Sequence, residues 1–251
     1  MPSSFFKKIR SFFELLLSIL GYVPKHATVL RTIVMSAALA FSVYLALYQA
    51  HNSKLALVYF VIAEVFYIGF IYAVLSKNGY RHRFIKKWGD ENKGFLAFEA
   101  TLGLLFFNNG VGIGYVASAT SGNLFGFISK EPLFAIAAVM FAVGFTIKIL
   151  AAKAASIDIY YWKDMFLGRK IGEFVVTGPY KYFHNPMYGI GQLQAYAVAI
   201  WYGSAYGLLA ALLNQCLVFS FFYLVEKKFI NRIYQVGNLP KEKNTDKIVA
   251  Q

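Results

Sequence analysis

The chain has 251 residues, of which 58% are hydrophobic, 18% aromatic and only 15% charged, against the roughly 25% charged of an ordinary soluble domain. Its net charge of +13 would suit nucleic acid, but the basic residues fill gaps between apolar blocks rather than a soluble module. No nucleic-acid partner is therefore expected, and the lipid bilayer is.

In chain order, the stretch from Phe5 to Leu17 joins Lys7, Lys8 and Arg10 to a short apolar run, as a signal peptide does. Gly21, Pro24 and Lys25 follow in place of a small-residue cleavage site, so residues 1–27 are predicted to form an interfacial helix. Six apolar blocks follow, at Thr28 to Ala50, Leu55 to Leu75, Phe95 to Val116, Pro132 to Leu150, Met187 to Trp201 and Gly207 to Val225. Most are long enough for a bilayer core of about 30 Å. They predict an all-α polytopic membrane bundle with a four-span region over 28–155. Residues 156–235 would supply a loop, a helical hairpin and a post-hairpin helix, and residues 236–251 a flexible basic tail. The fifth block is short for a perpendicular crossing, and is expected to start deeper in the membrane or to be continued by Pro186 and the residues before it.

Orientation follows from Lys and Arg, which are retained on the cytoplasmic side. The amino-terminal segment, the second-to-third and fourth-to-fifth connections and the tail hold twenty-one, whereas the alternate connections hold only Lys54 and Lys130. Both termini are therefore expected in the cytoplasm, of a bacterial inner membrane or of the endoplasmic reticulum.

Glu64, Glu99 and Lys148 fall inside apolar blocks, where charge is expensive. Lys148 is expected to snorkel to the headgroups, and Glu64 and Glu99 to pair inside the bundle. Asn108, Asn109, Gly110, Gly112 and Gly114 are expected to pack and unwind a helix near the outer surface. Cys216, the sole cysteine, is expected to be a small packing residue. The four histidines have no second ligand at useful spacing, so no metal is expected.

The fourth-to-fifth connection ends in Glu173-Phe174-Val175-Val176-Thr177-Gly178-Pro179-Tyr180-Lys181-Tyr182-Phe183-His184-Asn185-Pro186-Met187-Tyr188-Gly189-Ile190-Gly191. Its prolines and glycines predict a structured turn, with Pro186 in the first turn of the fifth helix and helix-start amides free for an anionic group.

Gly178-Pro179-Tyr180, a spacer and Asn185-Pro186-Met187-Tyr188 resemble the carboxy-terminal signature of the phospholipid and isoprenylcysteine membrane methyltransferases. The Asn-Pro-Met-Tyr form is most similar to phosphatidylethanolamine N-methyltransferases. That family places a Glu-Glu pair and an apolar-aromatic turn after a helical hairpin, and Glu226, Phe229, Ile233 and Tyr234 match in register. Lys227 stands at the second acidic position, His184-Asn185 where the isoprenylcysteine branch has Arg-His, and Gly144-Phe145-Thr146 faintly echoes an upstream glycine segment.

The resemblance implies a cytoplasmic pocket for S-adenosylmethionine, built by Gly178, Pro179, Tyr180, His184, Asn185, Pro186, Tyr188 and Glu226. His184, Asn185 and the helix-start amides would hold the cofactor's carboxylate, and Glu226 its ammonium or ribose. Tyr180, Tyr182 and Tyr188 would face its adenine or sulfonium. The implied reaction is methyl transfer to a membrane lipid amine, with Glu226 or Glu173 as the base. A lateral substrate entrance beside the fifth helix would be shaped by Gly189, Gly191 and Tyr196. Isoprenylcysteine carboxyl methylation, nicotinamide-dependent sterol reduction and non-catalytic lipid binding are the alternatives.

Overall fold

The computed structural model describes residues 4–122, 124 and 130–235, all helix and connections. Helix α1 (Ser4–Ile19) is amphipathic, with Phe12, Phe13 and Leu17 outward and Ile19 buried. α2 (Val29–Tyr48), α3 (Ser53–Leu75) and α5 (Glu91–Ala119) are apolar helices capped by Thr28, Asn52 and Asp90, whose side chains accept from backbone amides of the first turn. The short basic α4 (Arg81–Trp88) ends on left-handed Gly89 and leads into α5. α6 (Lys130–Ala155) passes into two short helices, α7 (Ile157–Tyr160) and α8 (Lys163–Leu167). After a long connection come α9 (Leu193–Trp201), α10 (Ala205–Phe221), a π-helical turn over Phe222–Glu226 and α11 (Lys227–Tyr234).

Among the described residues, five helices are long and apolar enough to cross a membrane: α2, α3, α5, α6 and the continuous rod Ala205–Tyr234. The chain is a polytopic helical membrane protein. The sixth predicted crossing is a correction. Its helix is the nine-residue α9, which rises about 14 Å, half of a bilayer core of about 30 Å. Pro186 does not open it, because the chain first passes through turns closed by Gly189 N–H to the Asn185 carbonyl and Gly191 N–H to the Pro186 carbonyl.

Helix α6 packs along α9, α3 along α5, and α10 against both α9 and α5. Gly144 makes the first of these contacts possible, since a Cβ there would lie 2.7 Å from the Gln194 nitrogen. At one end of the bundle, Tyr161, Trp162, Met165 and Phe166 are buried in one core with Ile71, Phe95, Phe98 and Phe221. The α7–α8 connection is thus part of the packed interior rather than a loose loop.

The intramembrane acids are paired, as expected. Glu99 is fully buried and meets His26 Nδ1 at 2.6 Å and Arg31 Nη1 at 3.3 Å. Glu64 accepts from Asn214 Nδ2 at 2.8 Å. Lys148 is a correction: it is buried at 6% exposure and does not snorkel, because its face of α6 turns inward. The Asn108 to Gly114 stretch is corrected in part: it does not unwind, being unbroken helix inside α5, but it packs, with Gly112 against Phe60 of α3. Cys216 stands on the outer face of the bundle instead of packing within it. The tail expected over 236–251 lies outside the described residues.

Candidate functional site

The site is assembled from the connection after α6, the turns before α9, and the rod that closes the hairpin. Two non-glycine residues with positive φ, Ser156 at 74° and Trp162 at 53°, bend the chain sharply on either side of α7. Such backbone is costly and persists where the surroundings enforce it. Here the bends bury Tyr161 and Trp162 and partly bury Tyr160. The Tyr161 hydroxyl donates to the Ser18 carbonyl at 2.7 Å and that of Tyr160 to the Ile19 carbonyl at 3.3 Å, fastening the end of α1.

Asp164 accepts from Met165 N–H at 2.8 Å and from the Tyr234 hydroxyl at 2.9 Å. Burial pushes its carboxyl above the ordinary range, and those two hydrogen bonds oppose the rise. The Tyr234 contact pins α11 over the connection, and Phe174 adds a ring contact to Tyr234 at 5.8 Å. The connection after α6 and the post-hairpin helix thus close over one another.

Gly178 adopts φ +59° at the head of a tight turn, Gly178–Lys181, that seats buried Pro179. Tyr180 follows, with its phenol pushed upward by burial and by the nearby Glu226 carboxylate. Asn185 Oδ1 accepts from Tyr188 N–H at 3.2 Å, so the side chain proposed for a ligand already caps its own turn. The Tyr188 hydroxyl donates to Glu226 Oε2 at 2.8 Å, across 38 residues of sequence. The Trp162 side chain also stands near that carboxylate. Glu226 closes the π-helical turn, where an extra residue per turn resets the direction in which side chains leave a helix.

Tyr188 also lines a cavity of about 390 Å³, within the size range of small-ligand sites. Phe106, Phe141 and Phe145 give it apolar walls, while Lys148, Gln192 and Asn214 are polar members of its lining. Asn214 ties that lining to the interior, accepting from Gln192 Nε2 at 2.7 Å and donating to Glu64 and, at 2.9 Å, to Asn109. The cavity lies between α5 and α6, which have little direct packing with each other.

Of the residues predicted from sequence, Tyr188 and Glu226 are joined directly and Tyr180 lies beside them. Glu173 is not brought in: its side chain is 91% exposed and pairs with Lys170 at 2.8 Å. His184 and Tyr182 are exposed at the surface. Lys227 points outward, its ammonium 5.4 Å from the Tyr223 ring centroid, and so does not occupy the place of a second acid in the cluster. Gly189, Gly191 and Tyr196 do not line the cavity. Gly191 instead packs between the Pro186 carbonyl and the Lys148 stem, and the Tyr196 hydroxyl donates to Gln215 at 2.6 Å.

Sequence reasoning missed Tyr160, Trp162, Asp164 and Asn214. For the first three a signal existed in Tyr160-Tyr161-Trp162-Lys163-Asp164, a dense aromatic run with an acid beside it. Asn214 offered only a single polar residue in an apolar block.

Residues 133–236 match the phospholipid methyltransferase family. A phosphatidylethanolamine N-methyltransferase of Kluyveromyces lactis is 32% identical over 106 residues, 42% of this chain and 12% of that relative. One of Eremothecium gossypii is 29% identical over 99 residues, 39% of this chain and 12% of that relative. The aligned part of this chain therefore spans only a small share of the length of these curated relatives. No solved structure matches the chain. The segment that begins in α6 and carries Lys148, Tyr188 and Glu226 is thus similar to the phospholipid methyltransferase family.

Proposed function

We propose that this chain transfers a methyl group from S-adenosylmethionine to the amine of a membrane phospholipid, phosphatidylethanolamine or its partly methylated derivatives, at the cytoplasmic face of its membrane. The observation that carries the reading is the Tyr188–Glu226 hydrogen bond. It joins the two halves of the family signature at the rim of a cavity that opens between helices of the bundle.

The residues present fit such a cofactor. It needs a carboxylate for its ammonium or ribose, aromatic faces for its adenine and sulfonium, and a site closed by protein. Glu226, the aromatics Tyr180, Tyr188 and Trp162, and the docked pair of α11 and the Phe174 connection supply these. When bound, S-adenosylmethionine supplies a methyl group already activated by its positive sulfur, so positioning is the protein's main task. A lipid amine accepting that methyl group would have to give up a proton. Tyr188, with its hydroxyl on Glu226 and its ring on the cavity, bridges the amine's space to that carboxylate. Glu173, exposed and paired with Lys170, is the weaker candidate for the base.

The test is incubation of purified protein with radiolabelled S-adenosylmethionine and a panel of phospholipids. Label should appear in phosphatidylethanolamine-derived products. Label confined to an isoprenylcysteine substrate, or absent from every lipid, would overturn the assignment.

A further inference from the structure

Lys148 is one of the buried polar residues of the bundle, and it is the one charged residue among those lining the cavity. Among the described residues it has no hydrogen bond or ion pair, and its contact of note is the Phe106 ring, 5.6 Å from the ammonium. A buried cation without a counter-charge is expensive inside a membrane bundle. The two carboxylates nearest in the bonding network do not answer it: Glu64 is bonded to Asn214 and Glu226 to Tyr188, and neither lines the cavity. Asn109 adds a second donor, because its Nδ2 has no partner among the described residues. The cavity wall thus offers one positive charge, amide groups and no acid.

The anion that completes this wall is narrowed by the other walls. Phe106, Phe141 and Phe145 are apolar, and Phe141 stands exposed on the surface of the apolar helix α6. An anion carried on apolar chains suits such a space. The methyl donor is assigned instead to the Glu226 end of Tyr188, where that carboxylate suits the donor's ammonium. We infer that Lys148 receives the phosphodiester of the phospholipid substrate, holding the headgroup so that its amine extends toward Tyr188. This deepens the proposed function and rests on it for the identity of the lipid, but the anion site stands on the cavity alone.

The experiment measures equilibrium binding of dihexanoyl phosphatidylethanolamine and of dihexanoylglycerol, which lacks the phosphate, to the full chain in detergent. The wild type should prefer the phospholipid by about tenfold or more, as removal of a buried charge partner predicts. Lys148→Gln should erase most of that preference with S-adenosylmethionine binding unchanged, and Lys148→Arg should keep it. If the glutamine variant does not yield folded protein, Lys148→Met, which keeps the bulk of the stem, carries the same expectation. An unchanged preference in the neutral variants, an equal loss for both lipids, or a loss of cofactor affinity alone would each overturn the inference. Because binding is read without turnover, a wild type that prefers phospholipid but methylates none would sink the catalytic reading and leave the anion site standing.

Discussion

Glu226 is the residue on which the two halves of the site depend, and its environment sets what its removal should do. A surface acid beside Lys227 and Lys228 would be worth about 0–1 kcal/mol and its neutralisation would pass unnoticed. Glu226 instead faces Tyr188 and Trp162 at the inner end of the rod. Glu226→Gln keeps an oxygen to accept from Tyr188 but loses the charge, so it should raise the dissociation constant for S-adenosylmethionine about tenfold or more, with thermal stability nearly unchanged. Titration calorimetry on the detergent-solubilised variant checks this, and an unaltered constant would leave Glu226 a packing role only. That Tyr188 and Glu226 belong to one region was legible in the sequence, because Asn185-Pro186-Met187-Tyr188 and Glu226 occur at a recognisable separation across a hairpin, but their direct hydrogen bond was not. The burial of Lys148 was not. Whether a lysine near a helix end snorkels or turns inward depends on how its helix is rotated against its neighbours, and the apolar residues of α6 surround the helix too evenly to show it.

At the scale of elements, two contacts decide how the helices sit. The end of α1 lies against α5 through paired glycines, where a Cβ on Gly103 would come within 2.0 Å of the Gly21 carbonyl oxygen. Gly103→Ala must therefore lift α1, and should destabilise the protein by about 1–3 kcal/mol. Gly69→Ala is its control, since nothing lies within 4 Å of a Cβ there and alanine favours helix. Melting temperatures of both variants in one detergent separate the cases, and equal values would show that α1 is not held by this approach. Asn214 is the other contact, bonding α10 to Glu64 on α3, Asn109 on α5 and Gln192 ahead of α9. With interhelical hydrogen bonds in membranes worth about 0.6 kcal/mol each, Asn214→Leu should cost about 2 kcal/mol, and more if Glu64 is left without a partner. Glu64→Gln, which preserves an acceptor for Asn214, should cost less. The apolar blocks made four spans and the hairpin readable. The true start of α9 was not, because Asn185 capping its own turn and Gly191 bonding back to Pro186 are local choices that compete with helix.

Across the whole molecule, the basic connections and the site loop share one end, and a cysteine at exposed Thr177 reads which side of the membrane that is. In sealed cells it should resist an impermeant maleimide and react once the cytoplasmic face is opened; labelling from outside would invert the topology. The route of the lipid follows from the same architecture. Each methylene exposed to water costs about 0.8 kcal/mol, so a diacyl lipid must present its headgroup while its tails remain in hydrocarbon. We place the proposed entrance at the gap between α5 and α6, since by the turns before α9 Gly191 is filled by the Lys148 stem, and on α9 Tyr196 is held by Gln215. Gly110 and Gly114 line the cavity on the α5 side, and a Cβ on either would meet nothing within 4 Å. Side chains placed there therefore occupy the passage without disturbing a packed contact. Gly110→Leu and Gly114→Leu should lower methylation of a long-chain diacyl phospholipid about tenfold more than that of its dihexanoyl analogue, a difference of about 1.4 kcal/mol, with cofactor affinity and melting temperature retained. If both lipids lose activity equally while the cofactor still binds, the passage lies elsewhere, and the two glycines serve only to shape the inner cavity.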